Sequence, residues 1–218
     1  TDHHLPGDSL PAALAIVNPN LKGSSFVSKA MAGVGVAYYV LSWVRQKLRA
    51  RAWFERMQLP EPNLAQYLDL VALGTVADVV PLDQNNRILV HQGLLRMRKG
   101  LSRPGIEALA RQGKRDLATI TAQDLGFAIG PRLNAAGRLE DMSVGIRCLT
   151  TSDPGEAEAL ARQLDDLNKA RREIETDMLA DAELLLAQVS KQQQSRADGV
   201  SICVYHESFH QGVVGIVA

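Results

Sequence analysis

The sequence contains little cysteine and no excess charge of either sign. Its 218 residues include two cysteines, Cys148 and Cys203, which lie far apart along the chain. They form no metal-ligand spacing, and a disulfide scaffold is not expected. The 24 basic residues balance 24 acidic residues. The overall charge therefore gives no indication of nucleic-acid binding.

A hydrophobic run long enough to cross a membrane is also lacking. The longest uncharged apolar stretch, Ala30 to Val44, has fifteen residues and ends at Arg45, whereas a spanning helix needs ~20. No secretory signal peptide is visible, so we expect a reduced, cytoplasmic protein without membrane contact. Because the chain has no initiating Met and begins inside a motif, we expect it to be a segment of a longer protein.

Hydrophobic patterns predict helices alternating with short strands. Strand composition occurs in Ala12–Asn18 and again in Val200–Tyr205, with a polar loop over Gln192–Gly199 between the long helix and the second strand. The 3.6-residue period predicts four helices, namely Ser28 (as cap) to Leu48, Leu64–Ala77, Asn85–Lys99 and Gly155–Gln192. This alternation favours an α/β fold with a parallel sheet. We predict the end of a parallel-sheet domain over 1–83, a connecting helix over 84–100 and a second α/β domain over 101–218.

The opening run Thr1-Asp2-His3-His4 places a carboxylate beside two imidazoles. These groups suit divalent ions such as Mn²⁺, and in an extended chain His3 and His4 would point to opposite sides. One would then bind metal and the other would face substrate or support the ligands. A solvated polar terminus explains the same residues equally well. Asp78, at the end of an apolar helix, is either a second metal ligand or a hydrogen-bonded helix-end carboxylate.

Two segments have features of phosphate-binding sites. In Gly130–Arg138 (GPRLNAAGR), Arg132, Asn134 and Arg138 stand among small residues that permit close approach, and Asn134 and Arg138 share a helix face. An ordinary helix start with salt bridges is the alternative. A basic stretch from Asn85 to Arg115 has eight basic residues against one acidic residue, which fits either a phosphate track or a solvated helix face.

The remaining histidines give weaker signals. His206 and His210 flank a polar turn that runs into Gly212 and an apolar helix, an arrangement common at anion sites. Their spacing does not define a zinc site. His91 lies on a helical pattern and is expected to be structural, and His206 receives no role.

Four blocks in this order resemble the RecJ family: Thr1–His4, Leu70–Leu82 (LVALGTVADVVPL), Gly130–Leu139 (GPRLNAAGRL) and His210–Ala218 (HQGVVGIVA). The resemblance runs nearly from end to end. RecJ proteins are single-strand-specific DNA exonucleases of the DHH phosphoesterase superfamily. The resemblance therefore implies hydrolysis of single-stranded DNA from a 5′ end, with release of 5′-mononucleotides, in DNA repair and recombination.

The resemblance also implies roles for individual residues. In the family's pattern His3 and Asp78 are metal ligands, Asp2 belongs to the ligand shell, and His4 contacts the substrate phosphate or transfers a proton. Phosphate binding falls to Arg132, Asn134, Arg138, His210 and Gly212. The implied cofactor is Mn²⁺ or Mg²⁺ in a two-metal centre. Single-stranded DNA is the implied substrate, and single-strand-binding protein an expected associate.

This sequence departs from the family's pattern at both ends. RecJ proteins carry further aspartates upstream of the DHH motif, and this chain begins after them and stops where the family's second domain continues. His3 and Asp78 alone are too few to hold two ions. The isolated 218-residue chain is therefore expected to have little nuclease activity.

Two other functions remain open from the sequence. One is a different phosphoesterase of the DHH superfamily, acting on oligonucleotides, cyclic dinucleotides or pyrophosphate with the same metal site. The other is an inactive DHH module that only holds nucleic acid or a replication partner. The GPRLNAAGR block and the basic stretch favour a DNA track, and the intact His3, His4 and Asp78 favour an enzyme.

Overall fold

The computed structural model describes residues 1–192 and 202–218, and every regular element within them is helical. In chain order the α-helices are α1 (Gly33–Ala50), α2 (Trp53–Arg56), α3 (Leu68–Ala77), α4 (Gln84–Arg98), α5 (Pro104–Gln112), α6 (Ala122–Asp124), α7 (Gly130–Leu139), α8 (Ser143–Thr150), α9 (Pro154–Gln192) and α10 (Val214–Val217). Between them lie 3₁₀ turns at Leu64–Tyr67 and Leu117–Thr119 and a π-helical turn at Leu125–Ile129. None of the described helices combines the length and apolarity needed to cross a membrane.

The predicted parallel α/β fold is wrong for the described residues, which contain no strand. A strand is stabilised by a ladder of hydrogen bonds with a neighbour, and hydrophobic composition alone does not supply one. In the run Ala12–Asn18, the Val17 carbonyl accepts a single hydrogen bond of 3.0 Å from the backbone N–H of Asp2, and the side chain of Leu14 is fully exposed. Residues 202–205 are likewise irregular, while 193–201, which include most of the predicted polar loop, lie outside the described residues.

The four predicted helices are confirmed, but two of them begin later than predicted: the second starts with the 3₁₀ turn Leu64–Tyr67 and is α-helical only from Leu68. The first begins at Gly33 rather than after Ser28, because Ser28 does not cap it. Instead the buried Ser28 hydroxyl donates a 2.7 Å hydrogen bond to Asp83 Oδ2. Asp83 in turn caps α4 by accepting from the backbone N–H of Asn86 at 2.8 Å. This pairing ties the segment before α1 to the start of α4.

Helix α3 lies at the centre of the molecule. Its side chains Val71, Ala72 and Leu73 point to different faces of the helix and are all buried. A helix with apolar residues on every face is expected to be buried in this way. Helix α4 approaches it so closely that a Cβ added at Gly93 would stand 2.2 Å from the Leu68 carbonyl oxygen. One hydrophobic core extends from α3 through α9, and includes Met97, Ile106, Leu109, Ile129 and Leu164. The predicted domain limits at 83/84 and 100/101 remain predictions.

Both cysteines are free thiols, which agrees with the absence of a disulfide scaffold expected from the sequence. Cys203 is exposed, whereas Cys148 is buried among α5, α8 and α9. Burial raises the pKa of the Cys148 thiol to about 11, because the low-dielectric surroundings disfavour the thiolate. Cys148 therefore serves as a neutral core residue.

A buried ion pair fixes α3 to the later helices. Asp69, in the first turn of α3, is 1% exposed and accepts from the Nε of Arg103 at 3.1 Å. The backbone N–H of Arg103 donates to the same carboxylate, also at 3.1 Å. The guanidinium further donates to the carbonyls of Leu149 at 3.1 Å and Gln66 at 3.3 Å. Arg103 therefore links α3, the start of α5 and the end of α8 in one network.

We expect Arg103→Ala to lower the free energy of unfolding by about 3–5 kcal/mol, because it leaves the Asp69 carboxylate buried without a cation. The matched control is Arg49→Ala, which removes the exposed Arg49–Glu61 pair and should lower the free energy of unfolding far less, because solvent screens exposed ion pairs. Urea denaturation followed by circular dichroism measures both. Equal losses for the two variants would show that the Arg103 network does not hold the helices together.

Candidate metal and phosphate-binding site

Two asparagines hold the backbone of the opening motif. Asn20 Nδ2 donates to the carbonyl of His3 at 2.7 Å, and Asn18 Nδ2 donates to that of His4 at 2.9 Å. Asn18 is itself buried, and its Oδ1 accepts from the backbone N–H of Asn20 at 2.8 Å. Sequence reasoning did not assign a role to either side chain. In the sequence these two asparagines flank Pro19, and asparagine side chains in loops often form hydrogen bonds with backbone groups.

His3 and Asp78, predicted as ligands of one metal ion, are in contact although they are 75 positions apart. His3 Nε2 lies 3.4 Å from Asp78 Oδ2, with the side chains 18% and 39% exposed. Gly33, the first residue of α1, lies beside the imidazole, since a Cβ there would stand 3.4 Å from His3 Cδ2. The pair is thus reachable from solvent yet held by the start of α1 and the end of α3.

The distance between these two donor atoms fits a shared divalent cation. His3 Nε2 and Asp78 Oδ2, at 3.4 Å, are close enough that both could bind one ion. An imidazole nitrogen and a carboxylate oxygen are suitable donors for Mn²⁺. Among the residues that the structure describes, no group of three or more His, Cys, Asp or Glu side chains is placed to hold an ion. His3 and Asp78 alone would supply two donor atoms to an ion.

Asp2 and His4 form a second pair in the opening motif. Asp2 Oδ1 lies 2.8 Å from His4 Nδ1 and accepts from the backbone N–H of His3 at 2.8 Å. The hydrogen bond from His4, followed by those from the backbone, lowers the pKa of the Asp2 carboxyl to about 2. Asp2 is therefore ionised at neutral pH and orients the exposed His4 ring.

The prediction that His3 and His4 point to opposite sides is wrong. Their ring centroids are 4.3 Å apart and tilted by 45°, because the chain bends at His4 instead of remaining extended. The two rings nevertheless have different partners, Asp78 for His3 and Asp2 for His4. The predicted division of roles between the two histidines stays a prediction.

The backbone turns sharply after Asp78. Asp78 directly follows α3, and Val79 comes next with φ of 56°, a left-handed conformation that is unfavourable for a β-branched residue. Glycine usually occupies this position after a helix. The Val79 side chain is exposed, so packing does not offset the strain. The turn directs the chain towards Pro81 while Asp78 stays beside His3.

The predicted phosphate contacts Arg138, His210 and Gly212 come together at the end of α7. Arg138 Nη1 donates to the Gly212 carbonyl at 2.9 Å, and the Gly212 N–H donates to His210 Nδ1 at 3.1 Å. A Cβ at Gly212 would stand 2.1 Å from the Arg138 carbonyl oxygen, so only glycine permits this approach. Asn134, one turn earlier on α7, is also exposed. These residues present side-chain and backbone polar groups at one surface.

Arg132 lies apart from that group. Its side chain is 14% exposed, and its Nη2 pairs with Asp165 at 2.7 Å. Nε donates to the same carboxylate at 2.8 Å, and Nη2 also donates to the Gln112 carbonyl at 3.2 Å. The guanidinium is occupied in joining α7 to α9, and this geometry does not support its predicted role in phosphate binding.

Much of the basic stretch Asn85–Arg115 is likewise used within the fold. The partners are Ile120 O for Arg98, Asp69 for Arg103, Glu158 for Arg111 and Asp124 for Arg115. Among the remaining histidines, His91 is exposed on α4, and His206 Nδ1 lies 2.7 Å from Ser208 Oγ. Three of the eight basic residues of the stretch, Arg103, Arg111 and Arg115, therefore form ion pairs within the fold.

Comparisons with known proteins show which proteins the chain is similar to. The profile of the DHH family, N-terminal domain, matches residues 1–75. The single-stranded-DNA-specific exonuclease RecJ of Dickeya dadantii is 57% identical over 218 residues, covering 100% of this chain and 38% of that protein. A crystal structure of exonuclease RecJ bound to manganese matches with 37% identity and a TM-score of 0.76, covering 100% of this chain and 50% of the solved chain. RecJ from Thermus thermophilus in complex with Mg²⁺ matches with 36% identity and a TM-score of 0.61, covering 85% of this chain and 26% of that chain.

The profile match covers the His3 end of the molecule. Over its full length the chain is similar to RecJ proteins, as the four sequence blocks predicted. It spans 38% of the length of the Dickeya dadantii protein.

We expect glycine and proline to have opposite effects at Val79. Val79→Gly tolerates φ of 56° and should leave the melting temperature unchanged or raise it. Val79→Pro cannot adopt that φ and loses the N–H that donates to Val76 O at 3.2 Å, so it should lower the melting temperature by several degrees. Differential scanning calorimetry measures both, and similar melting temperatures for the two variants would contradict a left-handed turn at this position.

Proposed function

We propose that the whole protein hydrolyses phosphodiester bonds of single-stranded DNA from the 5′ end and releases 5′-mononucleotides. The contact of His3 with Asp78 at 3.4 Å carries this proposal, because it joins the two residues to which the RecJ pattern assigns metal binding. The match to RecJ over the full length of this chain supports the DNA substrate. Mn²⁺ or Mg²⁺ is the proposed cofactor, as in the RecJ structures that contain these ions.

In this proposal His3 and Asp78 bind one ion through Nε2 and Oδ2. Divalent ions in such a centre would activate water and stabilise the leaving oxygen. Two donors are too few for a two-metal centre, so we propose that other parts of the whole protein supply further ligands. Asp2 fixes the ring of His4, which is 75% exposed and can contact the substrate phosphate or hold a proton at Nε2.

The residues around the end of α7 bind the substrate backbone. The polar groups there are the guanidinium of Arg138, the amide of Asn134 and the imidazole of His210. Because Gly212 has no side chain, its segment can lie directly against the backbone of Arg138. Asn134 and Arg138 stand about 6 and 12 Å along α7 from Gly130. Gly130 packs on Ala77, next to Asp78. A single strand running along α7 would therefore lead towards the metal donors.

The cellular setting is proposed on the same basis. We propose that the protein acts in the cytoplasm, in DNA repair and recombination, and that single-strand-binding protein is an associate. These assignments follow the RecJ family and rest on no contact in this structure.

We expect His3→Ala and Asp78→Ala to lower exonuclease activity of the whole protein by at least ~100-fold, because each removes a metal donor. The assay is release of nucleotides from 5′-labelled single-stranded DNA in Mn²⁺, with dinucleotides and pyrophosphate as competing substrates. His91→Ala, at an exposed position on α4, is the control and should retain full activity. The isolated 218-residue chain should release almost no nucleotide. Activity within tenfold of wild type for either site variant would exclude that residue as a ligand.

We expect Arg138→Ala to weaken DNA binding and Arg132→Ala to lower thermal stability. Arg138 is exposed on the proposed DNA path, so its loss should weaken binding to every sequence and reduce the salt dependence of log K by about one unit. Arg132 is paired with Asp165, so its loss should lower the melting temperature and leave the salt dependence unchanged. Fluorescence anisotropy with an oligothymidine at several salt concentrations separates the two. A stable Arg132→Ala protein with reduced salt dependence would reverse these roles.

A further inference from the structure

Helical geometry changes between α6 and α7, where Leu125–Ile129 form a π-helical turn. Such turns are rare in proteins and occur frequently at functional sites. The side chains of Leu125 and Ile129 are fully buried, whereas Phe127 between them is 76% exposed. The turn therefore anchors its two ends in the core and presents one aromatic ring to solvent.

The π-helical turn lies directly against the end of α3. A Cβ at Gly126 would stand 3.3 Å from Val76 Cγ1, and one at Gly130 would stand 3.4 Å from Ala77 Cβ. Val76 and Ala77 immediately precede Asp78. The same turn continues into α7, which carries Asn134 and Arg138. Phe127 is therefore placed on the element that joins the metal donors to the phosphate contacts.

Phe127 is one of several large apolar side chains that are exposed among the described residues, and it is the one carried by the π-helical turn. Burying a phenylalanine side chain contributes about 1.5–3 kcal/mol, and the turn forgoes that contribution while it buries its other large side chains. Proteins that bind single strands without sequence preference use exposed aromatic side chains, on which nucleobases stack. Every base has an aromatic face, so such a contact suits an enzyme that degrades any sequence.

We propose that Phe127 is a base-stacking residue that holds a nucleotide of the single strand next to the His3–Asp78 pair. This inference rests on the proposed exonuclease function and adds a residue that neither the four motif blocks nor the phosphate contacts include. Stacking would act on substrate binding, so it should change KM more than kcat.

The experiment compares Phe127→Ala and Phe127→Trp in the whole protein. One substrate is an ordinary single-stranded oligonucleotide, and the other carries abasic tetrahydrofuran sites in its 5′-terminal nucleotides. Phe127→Ala should raise KM for the ordinary strand about tenfold, equivalent to about 1.4 kcal/mol of binding free energy. Phe127→Trp, which keeps an aromatic face, should restore KM. The abasic strand should have a high KM with wild type and Phe127→Ala alike.

Met57→Ala is the matched control, because Met57 is also exposed, at 55%. Met57 directly follows α2, which comes after the end of α1 that is remote from Gly33. The 18 residues of α1 span about 27 Å from Gly33, which lies beside His3. This variant should match wild type on both substrates.

Three results would overturn the inference, and they are distinguishable. Equal KM increases on ordinary and abasic strands would show that the ring does not contact a base. A lower melting temperature for Phe127→Ala in the whole protein, with no selective loss on the ordinary strand, would show that the ring packs against protein. Failure of the wild-type protein to degrade either strand would reject the proposed function itself, and with it the stacking role, before any variant is compared.

Discussion

The position of the candidate site depends on the fixed position of α3, and the Asp69–Arg103 ion pair is the interaction that holds it. Asp69 lies in the first turn of the helix and Asp78 directly follows its last residue, so an interaction at the first turn determines where the Asp78 carboxylate lies. The carboxylate of Asp69 is almost fully buried, and a buried charge has a large desolvation cost unless its partner stays in place. Arg103 meets this requirement while it also binds carbonyls from two other parts of the chain. Displacement of α3 would break all these contacts together.

The helices and the central pair of the site were predictable from the sequence, whereas the sheet was not present in the described residues. The period of apolar residues is a local property, and it identified α1, α3, α4 and α9 correctly. A strand depends on a neighbour supplied from elsewhere, and Ala12–Asn18 has the composition of a strand without such a neighbour among the described residues. The contact between His3 and Asp78 was not predictable from spacing alone. It followed from the resemblance to RecJ, which carries information about distant residues that local patterns lack.

Arg132 and Arg138 show the limit of reading a motif as one unit. Both guanidiniums occur in GPRLNAAGR, and both suit phosphate chemistry. Asn134 and Arg138 are four positions apart, so they lie on one face of the helix. Arg132 and Arg138 are six positions apart, so Arg132 does not lie on that face. The sequence did not reveal that Asp165, on a helix 33 positions away, would occupy Arg132. The partner of a charged side chain is decided by tertiary packing, and the same holds for the arginines of the basic stretch.

Within the described residues, two departures from regular helix geometry adjoin Asp78, while Ala52, Gln58 and Lys114 adopt a positive φ elsewhere. Val79 adopts a left-handed conformation directly after it, and the π-helical turn at Leu125–Ile129 packs on the two residues before it. Each departure has an energetic cost that ordinary helix continuation would avoid. Proteins retain such costs mainly where a side chain must be placed for a task other than folding. Strain on both sides of one carboxylate is thus an argument for function that is independent of the sequence motifs, since it depends only on backbone geometry and exposure. The two lines of reasoning meet at the same residue, which is why Asp78 is the strongest assignment in the site.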